Sequence, residues 1–150
     1  MLKSQLLHPQ ILAALARAGH GAKVLISDGN YPHWPKRGPN AEVVFLNLVP
    51  GQLLVTDILK ALLTVIPVER AHVMDYPHDG PNKMSQDPPI WNEFRQILHE
   101  NSIDLDLEKI ERFKFYDVAG EKEVCLTVAS GDQRIYANLL LTIGVVRPPK

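Results

Sequence analysis

Short apolar runs bounded by glycine, proline or turn residues alternate along this chain with segments whose apolar residues recur every three to four positions. That alternation restricts the fold more than any other feature. A strand buried on both faces reads as a continuous apolar run, whereas a helix lying on a sheet shows one apolar stripe. Lys23-Val-Leu-Ile-Ser27 is a run of the first kind, and residues 43–48, 70–74, 123–129 and 139–146 are the other predicted strands. Helical spacing appears over residues 9–18, with Pro9 suited to a first helical position and Gly19 to a stop. A second helix is predicted from a Thr56-Asp57 cap up to Pro67, with Ile58, Leu59, Leu62, Leu63 and Ile66 inward. A third starts at Pro88-Pro89 and ends at Asn101. Residues 108–119 read as a fourth, with Ile110, Phe113 and Tyr116 inward, although Phe113, Phe115 and the preceding alternation leave a strand open for part of it. Helices alternating with strands predict an α/β fold: a single three-layer α/β/α domain over residues 1–150, around a largely parallel or mixed sheet.

Composition narrows the partners. Sixteen basic and seventeen acidic side chains leave a net charge of −1, with no basic footprint for nucleic acid or an anionic membrane. No apolar stretch is long enough to span a bilayer, and His8, Pro9 and Gln10 interrupt the start of the chain before a leader-like run can form. The single cysteine, Cys125, lies in the apolar run Val124–Val128, which excludes a disulfide framework and points to a reducing compartment. The expectation is a soluble cytoplasmic protein that handles a small molecule or self-associates.

The polar residues that interrupt this pattern are the candidates for chemistry. His20 sits between Gly19 and Gly21 in a tight connection, either as an ordinary exposed histidine or as an acid/base group. Asp28 ends the first strand, at the rim where open α/β sheets bind ligands, although an Asx-turn role at Gly29-Asn30 is an equal alternative. If the two meet, Asp28 would accept an imidazole N–H and orient His20. The loop Tyr31–Asn40 holds three prolines and the rings of Tyr31, His33 and Trp34, able to wall a sugar or merely to anchor the loop. Tyr136 and Asn138 lie two apart and would share one face of an extended segment. Asp75, His78 and Asp79 cluster in a second punctuated loop, but their spacing matches no metal-binding pattern, so no metal is expected. A nucleophile elbow, a phosphate loop and a dinucleotide fingerprint are all absent, so no cofactor is expected either.

Taken in order, Gly19-His20, Ser27-Asp28 with Tyr31-Pro32, Thr56-Asp57-Ile58-Leu59, Arg112-Phe-Lys-Phe-Tyr116 and Gly131 with Tyr136-Ala137-Asn138-Leu139 resemble the L-fucose mutarotase / D-ribose pyranase family. The resemblance covers nearly the whole chain. It implies a cytoplasmic sugar isomerase that needs no cofactor, with His20 as proton donor and Asp28, Arg112, Tyr136, Ala137 and Asn138 contacting a monosaccharide. It also implies three-layer subunits in a ring-like homodecamer, with sites shared between neighbouring subunits. Arg112 is similar to the fucose branch, whereas Ala137 between Tyr136 and Asn138 is similar to the ribose branch. On this reading the catalytic set is His20, Asp28 and Tyr136, and the reaction is better defined than the sugar. The alternatives are a D-ribose pyranase or a non-catalytic monosaccharide-binding protein.

Overall fold

The computed structural model describes residues 1–150. In chain order the elements are α1 (Pro9–Arg17), β1 (Lys23–Ser27), β2 (Glu42–Phe45), α2 (Val55–Leu63), β3 (Val68–Met74), α3 (Pro89–Glu100), β4 (Leu107–Ile110), α4 (Arg112–Ala119), β5 (Val124–Ala129) and β6 (Leu139–Ile143). The strands form one six-stranded sheet in the order β2-β5-β1-β6-β3-β4. Only β6 runs against its neighbours; the β1–β5, β2–β5 and β3–β4 pairs are parallel. The expected mixed α/β/α architecture is present.

Register explains the layers. Val24, Leu141 and Ala71 line up across β1, β6 and β3, as do Ile26, Leu139 and Val73 one pleat further on. These residues join Leu126 and Val128 of β5 and Val44 of β2 in a 26-residue apolar cluster that also takes in the buried faces of α1, α2 and α3. The opposite sheet face is covered more sparsely. There Leu25, Met74 and Leu140 pack with Phe115 and Ala119 of α4 and with Tyr31. Three helices therefore cover one face and the single helix α4 lies on the other.

Several local expectations shift. Helix α2 starts at Val55 with Leu54 as its cap residue; Asp57 reaches back to accept the Leu54 N–H at 3.1 Å, and Thr56 lies inside the first turn. The carboxylate thus satisfies one of the donors that a helix start leaves open, from the third helical position rather than from the cap. Residues 108–119 do not form one helix. Leu107–Ile110 extends the sheet beside β3, and Glu111 then caps α4, accepting from the N–H groups of Phe113 and Lys114 at 3.0 Å each. This later start rotates the helix, so Phe115 and Ala119 are fully buried while Phe113 is 69% exposed, contrary to its expected inward placement. Strands β2 and β6 also stop earlier than predicted, at Phe45 and Ile143.

Candidate active site

One end of the sheet collects most of the predicted residues. Asp28 follows the last residue of β1, and Asn138 precedes the first residue of β6. Because Ile26 pairs with Leu139 in antiparallel register, the two side chains are brought together there. Asn138 Nδ2 donates to Asp28 Oδ2 at 2.9 Å, the Asp28 main-chain N–H donates back to Asn138 Oδ1 at 3.0 Å, and the Asn30 N–H donates to Asp28 Oδ1 at 2.9 Å. Burial pushes the Asp28 carboxyl above its ordinary range, against the lowering effect of these donors. The turn role of Asp28 and its place at the rim therefore coexist. Each carboxylate oxygen still has lone-pair capacity for a ligand hydroxyl.

The opposite wall comes from α4. Arg112 and Tyr116 are one helical turn apart and so share a face. Arg112 forms no salt bridge, and the adjacent Tyr116 phenol raises its already high affinity for its proton. With Asp28, Tyr31, Met74, Tyr136 and Asn138 these residues border a cavity of about 250 Å³. That volume lies just below the roughly 300–1,000 Å³ typical of drug-sized sites, a scale suited to one small polar ring. Arg112 also borders an adjoining cavity of about 400 Å³, where His78 and Asp75 pair at 2.8 Å. On the far side of Asn30 lies a polar cavity of about 250 Å³ bordered by Asn47, Ser130 and Gln133. Gly131 is required at its edge, because a Cβ there would run into the carbonyls of Val49 and Gln52.

Other predicted residues lie elsewhere. Within one subunit His20 does not meet Asp28. It precedes β1 and Asp28 follows it, so the five-residue strand Lys23–Ser27 separates them, about 16 Å at ~3.3 Å per residue. The partner of His20 is Glu69, at the start of β3, whose two carboxylate oxygens lie 3.1 and 2.9 Å from Nε2. Gly21, with φ of 83° and its N–H bonded to Ile143, makes the turn that carries His20 at this end. Ala137, between Tyr136 and Asn138, is fully buried in the main core and does not border the cavity, contrary to its expected contact with the sugar. Trp34 is 60% exposed and stacks on Arg37 at 4.1 Å, and His33 is buried beside Tyr31 and Phe45; neither borders the cavity.

Tyr116 and Glu69 are polar residues that the sequence reading did not assign to the site. Tyr116 was signalled by its i,i+4 spacing from Arg112, had the helix start been known. Glu69 carried no sequence signal as a partner of His20, because only sheet pairing places the start of β3 near the turn before β1. No three His, Cys, Asp or Glu side chains gather in a metal-binding arrangement, and no helix is long and apolar enough to cross a membrane.

Comparison with known proteins covers nearly the whole chain. Human fucose mutarotase is 34% identical over 149 residues, covering 94% of this chain and 90% of that protein. The crystal structure of FucU from Bifidobacterium longum is 34% identical and superposes with a TM-score of 0.74, covering 93% of this chain and 95% of its own. The fucose mutarotase of Streptococcus pneumoniae, solved in complex with L-fucose, has the same fold at 24% identity, with a TM-score of 0.75 over 93% of this chain and 94% of its own. Residues 1–146 match the RbsD / FucU transport protein family. With a family model matched over residues 1–146 and a relative 34% identical across 94% of its length, the chain belongs to that family.

Proposed function

We propose that this protein is a monosaccharide mutarotase, interconverting the anomers of L-fucose or a related reducing sugar by acid/base ring opening and closure without a cofactor. The observation that carries this reading is the convergence of the Asp28–Asn138 pair, Arg112, Tyr116 and Tyr136 on one cavity of about 250 Å³. Carboxylate, amide and guanidinium suit sugar hydroxyls, and the rings suit its apolar C–H face. Curated relatives bearing the name fucose mutarotase, at 32–34% identity, support the reaction class.

Ring opening requires a proton on the ring oxygen as the bond from that oxygen to the anomeric carbon breaks. The anomeric hydroxyl loses its proton and becomes the aldehyde carbonyl. Rotation of that carbonyl and the reverse transfers close the ring on the other face, with no net change in protons. In the proposed assignment His20 donates to the ring oxygen, Tyr136 relays the anomeric proton, and Asp28, Arg112 and Asn138 hold hydroxyls.

His20 and the cavity lie at opposite ends of one subunit, so the proposal requires a neighbouring copy to bring His20, with Glu69 behind it, to the cavity. A ring-like homodecamer would do this. Exposed Phe45, Leu48, Val49, Leu53 and Ile135 supply apolar surface for such contacts. We further place the protein in the cytoplasm, with a monosaccharide as its small-molecule partner.

The decisive assay is NMR saturation transfer between α and β anomers of L-fucose, D-ribose, D-galactose and L-rhamnose. Exchange of at least one sugar should accelerate on adding the protein. Binding without acceleration would make it a binding protein instead, and faster pyranose-to-furanose exchange confined to ribose would make it a ribose pyranase.

A further inference from the structure

Tyr136 has a backbone φ of 57°, in the left-handed region that a bulky side chain rarely adopts. Something must hold it there. Its main-chain carbonyl accepts a hydrogen bond from the indole Nε1–H of Trp91 at 3.1 Å. Trp91 is fully buried near the start of α3, and its ring centroid lies 5.7 Å from that of Tyr76. Tyr76 in turn meets the Tyr136 ring edge-on, with centroids 6.2 Å apart. The Lys109 ammonium stands 5.0 Å from the Trp91 centroid and 5.1 Å from that of Tyr76. Asp87 ties this unit together, accepting from Lys109 at 2.7 Å and from the Tyr76 phenol at 3.0 Å.

Helix α3 grips the same loop a second time. Glu93 accepts from Arg134 at 2.9 Å, and Arg134 also holds the buried Asp132. The segment leading into β6 is therefore fixed on both sides of Ile135.

We infer that Trp91, backed by Tyr76 and the Lys109–Asp87 pair, is a positioning residue for the sugar site. Its indole N–H holds the left-handed backbone of Tyr136 and thereby sets the phenol at the cavity wall. Trp91 does not border that cavity; it acts through Tyr136. The kinetic part of this inference rests on the mutarotase reading, whereas its geometric part does not.

Trp91→Phe keeps an aromatic ring and removes the N–H. Because misplacement of a reacting group by about 1 Å can cost on the order of 10²-fold, anomer exchange should slow roughly ten- to a hundredfold in kcat with little change in KM. The same change added to Tyr136→Phe should cost nothing further, since Trp91 acts only through that phenol. Losses that multiply would show a general structural role and overturn the inference. Independently of turnover, 13C-tyrosine labelling should show the Tyr136 ring resonances displaced in Trp91→Phe without sugar; unchanged resonances overturn the inference. If Trp91→Phe does not fold, the half-exposed Lys109→Met carries the test, and it must displace the same resonances. If the wild-type protein accelerates no sugar, the mutarotase reading fails while the resonance measurement still decides the role of Trp91.

Discussion

The two ends of the sheet hold similar chemical groups in opposite settings. At the end where β1, β3, β4 and β5 finish, a carboxylate is buried beside a buried amide, with three tyrosines and an arginine around a cavity. At the other end an imidazole and a carboxylate pair in the open, with side-chain exposures of 59% and 39%. The first setting suits binding and orienting a ligand, because low solvent access strengthens each hydrogen bond and makes an unpaired polar group costly. The second lies exposed beside a shallow, open depression bordered by Asn40, Lys122 and Glu123. With His20 as the proposed proton donor, neither end is a complete acid/base site by itself, so that proposal requires a functional unit larger than one subunit.

The sharpest way to break this contrast is His20→Ala. Removing a general acid typically costs about 10²–10⁴-fold, and anomer exchange should fall by that order. Because the side chain is exposed, the melting temperature should hardly move. An unchanged exchange rate would remove His20 from the reaction and leave the cavity to act alone.

A mixing experiment tests whether the two ends cooperate between copies. His20→Ala and Arg112→Ala proteins, each nearly inactive, are unfolded together and refolded as mixed oligomers. Activity should reappear, because some interfaces then join an intact cavity to an intact His20. A mixture as inactive as its parents would argue against shared sites, and light scattering on the wild type would report whether it assembles at all.

Glu69→Gln should have a smaller effect. An exposed charge pair is worth about 0.2–1 kcal/mol, so loss of the charge should slow exchange by no more than about fivefold. A loss of a hundredfold would mean that the pair becomes buried on assembly.

The smallest expected effect is on stability. Burial raises the Asp28 carboxyl above its unfolded value, so the protonated form is favoured in the folded state. Its stabilising contribution is complete below the ordinary carboxylate range and is lost as pH rises through the raised value. The melting temperature of wild type minus that of Asp28→Asn should therefore fall with rising pH across the mildly acidic range, as measured by calorimetry. A difference that grows with pH would reverse the assigned direction.

Much of the architecture was legible from pattern alone. The run Lys23–Ser27, short and bounded by glycines, suited a buried strand, and the stripe Ile90, Trp91, Phe94, Ile97 and Leu98 suited a helix face, because burial on two faces or on one imposes different periods. The segment 107–119 was not legible in this way. Its hydrophobic residues fit both periods, and a free sheet edge beside β3 decided that Leu107–Ile110 would pair as a strand before Glu111 could cap a helix. The misassigned inward face of Phe113 followed from that one boundary.

For the site, the end of an apolar run placed Asp28 at a sheet rim and a two-residue spacing put Tyr136 and Asn138 on one face, whereas Arg112 entered only through the family resemblance. Sequence by itself determined the layered α/β class, the rim position of the candidate residues and the family, because these depend on local periodicity and on motif order. Only the tertiary structure decided who meets whom. It joined Asp28 to Asn138, 110 positions away, separated His20 from both, paired His20 with Glu69 and placed Trp91 behind Tyr136. Partnerships of that kind depend on strand order and register, which no local pattern encodes.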